Sequence, residues 1–335
     1  MKKISLFTLC ILLCIALIVP FASCQRDEKQ EKSFFLMDTT ITVTLYTNQK
    51  AAEKIFGDCR QILSEYENLW SRTKGESDVG RFNQVEDSLE LDTRTAALIA
   101  QAIEISQKTG GAFDITVAPI VNLWQTSEES ETLPTSAEMQ SALALVGEEN
   151  LAISGNTLSK MNKNVQIDLG GIGKGAAISA LLRYLKTCDA RGGIVSFGSN
   201  VAVFGTKPDG NSFRVAVKNP KTKDGYAGVL HLQAGQILSV SGDYERYYTI
   251  DGSKYHHIID PQTGYPAQSG LCSVAVVCSD GALADALSTA LFVMGREKAL
   301  AFYESKAYDF EAIFIDQNGN VTTTKGLVDI FEIQT

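Results

Sequence analysis

Three groups of residues in this chain have types and spacings that suit chemistry. The first is VQIDLGGIGKGAA, residues 165–177, where a short apolar strand ends in Asp168. It then passes Gly170, Gly171, Gly173 and Gly175 and carries Lys174 into a helix ending near Leu185. Glycines let backbone approach a ligand closely, and the amides opening a helix attract anions. The segment therefore predicts a phosphate cradle, with Asp168 available to a metal or a ligand hydroxyl. The second group opens a helix at Asp280, with Asp285 and Thr289 one turn apart on one face. A carboxylate, a hydroxyl and nearby carbonyls form an all-oxygen set suited to a hard ion such as Mg²⁺, which commonly bridges carboxylates and substrate phosphates. The third is His256-His257. On a strand the two rings face opposite ways and are poor co-ligands of one metal, but either suits a general base near neutral pH. Each group has a purely structural counterpart: a glycine-rich turn with a solvated lysine, helix capping by Asp and Thr, and a hairpin histidine bonded to backbone.

Spacing tests two familiar phosphate loops against the first group. A Walker A loop needs Gly at the position of Asp168 and Ser or Thr at that of Gly175, so it fails twice. The dinucleotide fingerprint fits Gly171, Gly173 and Ala176, but its ribose-binding acid closes the second strand, whereas Asp189 precedes the strand expected at Ile194–Phe197. The cradle is of neither type. Two further stretches carry groups of interest. SGDYERYY, 241–248, mixes charge and aromatics as a wall on which a ligand could stack. GGAFD, 110–114, either admits a flat ligand or is a helix stop followed by a core Phe.

The elements that must position these residues follow from periodicity. Phe34–Tyr46 alternates as a first strand; apolar residues from Ala52 to Trp70 recur at helical spacing; 71–83 is polar and reads as a loop; Thr93–Lys108 is a second helix stopped by Gly110-Gly111. Residues 126–134 read as an exposed insertion, and Thr135 with Glu138 as a capping box. Strands flank Asn156, and further strands are expected at Val201–Phe204, Phe213–Val217, Gly228–Leu232 and Ile237–Ser241. Asp251-Gly252 turns a hairpin of Tyr247–Ile250 with Tyr255–Ile259; Ser273–Cys278 is a strand, Ala282–Met294 a helix, and Asn318-Gly319 turns a final hairpin. Strands and helices come in runs, which predicts an α+β fold with mixed or mainly antiparallel sheets flanked by helices.

The chain has 335 residues, 44% of them hydrophobic and 21% charged, with a formal net charge of -9. This suits one large domain or two intimate ones, and the acidic balance without a basic run excludes nucleic acid as a partner. Residues 1–24 read as a targeting leader: Lys2 and Lys3, an apolar run Ile4–Val19 too short for a comfortable membrane span, then Phe21-Ala22-Ser23-Cys24. This resembles a bacterial lipoprotein signal, which implies lipidation at Cys24 and a membrane-anchored protein on the periplasmic or extracytoplasmic face. Phe21 stands where an aliphatic residue is usual, so ordinary cleavage or an uncleaved anchor are the alternatives. Residues 25–33 read as a tether and 34–335 as the folded domain. Of the seven cysteines, Cys59, Cys188, Cys272 and Cys278 lie beyond the leader. Cys272 and Cys278 share one strand about 20 Å apart and cannot bridge each other, so these four read mostly as buried thiols, with a bridge between distant segments as the alternative.

MDT at 37–39, GGAFD at 110–114, DLGGIGKG at 168–175, SGDYERYY at 241–248, HIIDPQTGYP at 257–266 and ADALSTALFVMG at 284–295 occur in one order along the chain. Together they resemble the ApbE family of FAD:protein FMN transferases. The resemblance implies a Mg²⁺-dependent enzyme that splits the FAD pyrophosphate, moves FMN onto a Thr or Ser hydroxyl of a partner protein through a phosphodiester, and releases AMP. It implies that Asp285 and Thr289 hold Mg²⁺ with carbonyls of Gly171 and Ala282. Met37, Ala112, Phe113, Asp114, Asp168 and Lys174 would contact FAD, and His257 would deprotonate the acceptor. Asp38 stands where the family often has Gly. The family's acceptor motif, an Asp followed by small and hydroxyl residues ending in Ala and Ser or Thr, is not intact in this chain, so self-modification is not expected. FAD hydrolysis to FMN and AMP, and FAD binding without chemistry, are the rival readings.

Overall fold

The computed structural model describes residues 28–221 and 225–334. The leader, Cys24 and residues 25–27 lie outside the described residues. Along the chain come β1 (Glu28–Leu36), β2 (Thr39–Thr47), α1 (Gln49–Trp70), α2 (Asp78–Gln84), β3 (Ser88–Glu90), α3 (Thr93–Lys108), α4 (Ala118–Ser130), α5 (Ser136–Leu143), β4 (Leu151–Ser154), β5 (Thr157–Lys160) and α6 (Gly173–Leu185). Then follow β6 (Gly192–Phe197), β7 (Asn200–Gly205), β8 (Phe213–Lys218), β9 (Tyr226–Leu232), β10 (Ile237–Gly242), β11 (Tyr247–Ile250), β12 (Ser253–His256), β13 (Leu271–Cys278), α7 (Gly281–Glu304), β14 (Glu311–Asp316), β15 (Val321–Thr323) and β16 (Phe331–Ile333).

The main sheet has eight strands in the order β1-β2-β6-β7-β10-β13-β14-β15, every neighbouring pair antiparallel. The expected α+β class with antiparallel sheets is what forms. Helices α1, α6 and α7 cover one face, burying Ile55, Phe56, Leu63, Leu181, Leu287 and Leu291 in the larger core. A three-stranded sheet, β16-β9-β8, covers part of the other face through Val203, Val215, Leu230, Ala275 and Ile313. All eight residues of β13 are buried. It is apolar on both faces because it lies between two layers rather than facing water on one side. The side-chain oxygen of Asn48 accepts from Ala51 N at 3.0 Å and starts α1, and the Thr135–Glu138 capping box starts α5.

Several expectations are corrected. The tether ends sooner than predicted, because Glu28–Ser33 already pairs with Thr42–Thr47 as β1. The single strand expected at Phe34–Tyr46 is two, broken at Met37 and Asp38 with φ of 51° and 56°. Asp38 is a residue that tolerates turns, but with Met before it and no glycine beside it the alternating pattern ran through the break unmarked. The loop at 71–83 contains most of α2, started by Ser77, whose Oγ accepts from Gly80 N at 2.8 Å. Helix α4 continues through Ser130 into the predicted insertion. Residues before Asp168 form no strand. Instead the Asn83 side chain satisfies Ile167 N (2.8 Å) and O (2.9 Å), and Ile115 O accepts from Asp168 N at 2.7 Å. An amide side chain thus does the work of a neighbouring strand. The second strand of the Asp251-Gly252 hairpin ends at His256, leaving His257 outside it. Helix α7 outruns Met294 and kinks at Gly295, and β16 follows the last predicted hairpin. The four cysteines are free thiols, with Cys188 only partly buried.

Candidate active site

The N-termini of α6 and α7 meet at two glycines. A Cβ on Gly175 would lie 1.9 Å from Gly281 O, and one on Gly281 would lie 2.2 Å from Gly175 O, so neither position tolerates a side chain. This contact lets Gly175 N donate to Asp285 Oδ2 at 2.9 Å. Asp285 is 5% exposed, and its Oδ1 accepts from Ser239 Oγ at 3.2 Å. The same hydroxyl lies 2.6 Å from Asn200 Oδ1. Ser241 Oγ bridges Ser288 Oγ (2.8 Å) and Thr289 Oγ1 (3.2 Å). Lys174 Nζ donates to Gly170 O at 2.8 Å and stands 4.0 Å from Asp285 Oδ2. A Cβ on Gly171 would sit 3.7 Å from Thr289 Oγ1 and 3.1 Å from Phe113, so the glycine loop lies against both.

Gly171, Lys174, Asp285 and Thr289 therefore come together, with Ser239, Ser241, Ser288 and Asn200 as hydroxyl and amide neighbours that no spacing rule singled out, and Ala282 directly follows the Gly281 that touches Gly175. The donors are all oxygen, with one carboxylate. Among the described residues no group of three His, Cys, Asp or Glu could hold a metal. Such a set fits Mg²⁺, which takes one or two carboxylates and fills its remaining positions with water and substrate phosphate.

The residues expected to meet FAD fall into two kinds. Met37 and Phe113 reach the loop directly: a Cβ on Gly173 would be 4.0 Å from the Met37 methyl and 3.8 Å from Trp70. Ala112 is buried beside Phe113. Asp114, by contrast, is committed to its own chain, accepting from Thr116 N (2.7 Å), Thr116 Oγ1 (2.6 Å) and Ser106 Oγ (3.3 Å). Burial pushes its carboxyl above the usual range. Asp168 also has both oxygens engaged: Oδ1 accepts from Gly170 N at 2.7 Å, and Oδ2 pairs with Arg72 Nε at 3.1 Å. Arg72 in turn donates to Asn122 Oδ1 (2.6 Å) and Gln125 Oε1 (2.8 Å). Sequence reading missed Arg72, since a lone arginine in a polar stretch carries no signal of its partner.

His257 Nδ1 lies 3.0 Å from Arg246 O. A carbonyl only accepts, so Nδ1 carries the proton and Nε2, which has no partner among the described residues, is left as an acceptor. The imidazole is held below its usual 6.5, first by the protein atoms crowded around it and then by the charges of Arg246 and Lys174. The ring still reaches solvent at the mouth of the site. His256 instead bonds through Nε2 to Ala267 O at 3.0 Å and stands edge-on to Phe292, a structural role. The aromatic wall foreseen at 241–248 is an anchor rather than a bare face. Tyr248 and Tyr255 pack on Trp124 at 6.1 and 5.2 Å, and Trp124 Nε1 donates to Gly264 O at 2.8 Å. This fixes the hairpin that carries Arg246 and His257.

The arrangement sets a buried carboxylate, a lysine and several hydroxyls near an imidazole, a set of groups suited to a phosphate-bearing ligand, a hard cation and the acceptance of a proton. The sequence profile described as the ApbE family matches residues 37–314. The chain is 31% identical over 301 residues to the FAD:protein FMN transferase of Vibrio cholerae, covering 88% of this chain and 90% of that protein. It is 32% identical to the Haemophilus influenzae enzyme of the same name over 333 residues, covering 93% and 94%. Its structure is similar to the apo flavinyl transferase ApbE of Pseudomonas stutzeri (TM-score 0.80, 30% identity, 92% of this chain and 99% of that one). It is also similar to the ApbE protein of Thermotoga maritima (TM-score 0.83, 30% identity, 92% and 100%). The chain belongs to the ApbE family.

Proposed function

We propose that this chain transfers FMN from FAD to a Ser or Thr hydroxyl of a partner protein and releases AMP. The observation that carries this is the placement of a neutral imidazole, with Nε2 left as an acceptor, at the mouth of the Lys174–Asp285–Thr289 cluster. His257 Nε2 takes the proton of the acceptor hydroxyl as its oxygen attacks the flavin-side phosphorus. The new phosphodiester P–O bond forms, the bond from that phosphorus to the bridging oxygen breaks, and AMP departs with that oxygen. Asp285, Thr289 and the carbonyls of Gly171 and Ala282 would hold Mg²⁺, which would supply neutralisation of charge on the pyrophosphate. Lys174 adds fixed positive charge there. Met37, Ala112 and Phe113 wall the flavin nucleotide. Asp168 holds the glycine loop in shape through Gly170 while Arg72 holds Asp168, and Asp114 supports the Phe113 segment through Thr116.

Because His257 opens to solvent, water can stand in for the acceptor, and FAD hydrolysis to FMN and AMP is the second reading. Incubation with FAD, Mg²⁺ and a peptide carrying the family's acceptor motif, followed by intact mass, separates them. A gain of FMN on the peptide supports transfer; FMN and AMP without that gain support hydrolysis; neither product leaves a binding protein. The leader supports a lipid anchor at Cys24 on the extracytoplasmic side. No helix among the described residues is long and apolar enough to cross a membrane. Radiolabelled palmitate should enter the native chain and not Cys24→Ser; equal labelling would overturn the anchor.

A further inference from the structure

The main sheet ends in two unlike edges. One is β15, three residues long; the other is β1, nine residues long and, among the described residues, paired with β2 alone. The β1–β2 turn has two residues, which makes Leu36–Thr39 the hydrogen-bonded closing pair. Pairing then alternates, so the N–H and C=O groups of Lys29, Glu31, Ser33 and Phe35 point away from β2. Among the described residues nothing bonds to them. The cross-strand contact of Ser33 Oγ with Thr42 Oγ1 at 2.9 Å agrees with a close, non-hydrogen-bonded pair at that register.

Sheets blunt open edges with charge, and the outer half of β1 does so with Glu28, Lys29, Glu31 and Lys32. The half nearest the site does not. Ser33–Leu36 is uncharged; Phe34 and Leu36 turn toward the core, while Phe35 is 73% exposed. That half runs straight into the Met37–Asp38 turn. Asp38 O accepts from Arg246 Nη2 at 3.3 Å, and Arg246 O accepts from His257 Nδ1 at 3.0 Å. The open, uncharged edge therefore leads into a turn that Arg246 ties to the base.

We propose that the inner half of β1, Ser33–Phe35, docks an extended segment of the acceptor protein by strand addition, so that its hydroxyl passes the Met37–Asp38 turn to reach His257. The proposal rests on the transfer reading above. Main-chain bonds to Ser33 and Phe35 supply affinity that is indifferent to sequence, and the Phe35 ring supplies one apolar contact. An extended segment is also the form in which a hydroxyl can enter a concave site. A second copy paired antiparallel through β1 would instead set Phe35 against the charged outer half.

Ser33→Pro removes an N–H that β2 does not use, and Phe35→Ser removes the exposed ring. With a synthetic peptide carrying the acceptor motif, kcat/KM for the peptide should fall about tenfold or more in each variant. FAD affinity, read from flavin fluorescence, should be unchanged. In the native chain, amide exchange at residues 33 and 35 should slow when the peptide is added. Unchanged kcat/KM, a parallel loss of FAD affinity, or FMN gain without slowed exchange would overturn the docking site. So would exchange already slow before the peptide is added, which would mean that the chain's own residues 1–27 or a second copy cover the edge. Slowed exchange with no FMN gain would keep the docking site and sink the transfer reading instead.

Discussion

The two halves of the site are built differently. Where α6 meets α7, each polar group is fixed by another: Asp285 by Gly175 and Ser239, Thr289 by Ser241, Asp168 by Gly170 and Arg72. The backbones touch through glycine and the carboxylate is buried. The hairpin half, β11 to His257, is held by the packing of Tyr248 and Tyr255 on Trp124 and, at its base, by the Arg246 carbonyl that accepts from His257, which is itself exposed. The contrast matches two tasks. Charge on a small nucleotide is stabilised best by groups that need not reorganise, whereas a protein acceptor needs an open approach.

Substitutions can break or sharpen that contrast. The largest effect is expected from Asp285→Ala, which should lower FMN transfer by roughly three powers of ten, measured as AMP release. Asp285→Asn, which keeps an acceptor for Gly175 N, should be about as inactive, because charge rather than the hydrogen bond is what is lost. An active Asn variant would break the cation assignment. His257→Ala should cost roughly a hundredfold while leaving FAD affinity intact. Its imidazole is held below the usual 6.5, so the base is neutral above that depressed value and is lost only as pH falls through it. The acid limb of the rate–pH profile should therefore lie below pH 6.5; a limb at or above 6.5 would remove His257 as the base.

Stability should show the same asymmetry. Gly175→Ala drives a methyl into Gly281 O and should destabilise by about 1–3 kcal/mol or more in thermal unfolding. Gly252→Ala, with nothing within 4 Å and a φ of 74°, should cost only its backbone strain, about 1 kcal/mol. A larger loss at Gly252 than at Gly175 would reverse the ranking of the two halves. Smallest of all, Asp38→Gly relieves a φ of 56° and should raise stability by roughly 0.5 kcal/mol. A drop in Tm would show that the Asp38 side chain contributes more than its strain costs.

What the sequence disclosed follows from how far each signal reaches. Period-3.6 runs gave α1 and α3, glycine and Asp-Gly turns gave the β11–β12 hairpin, and Thr135 with Glu138 announced α5. The i, i+4 spacing of Asp285 and Thr289 put both on one face, and the glycine loop did lie opposite them. What stayed hidden depended on partners distant in the chain. Arg72 meets Asp168, Asn83 substitutes for a strand beside Ile167, and Ser239 reaches Asp285. A polar residue in a loop looks alike whether or not such a partner exists. Met37 and Asp38 hid a turn because they enter positive φ without being glycine. That Asp114 bonds Thr116 and Ser106 was likewise not legible, because nothing local announced those partners.

The contact of Gly175 with Gly281 also bears on divergence. A duplicated copy of this domain can exchange residues along β1, or at the exposed tip of the β11–β12 hairpin, and so meet a different acceptor. Neither glycine can change without the other's backbone moving, and moving it displaces Asp285. New partners are thus accessible by single substitutions at the rim, while the nucleotide half changes only in concert.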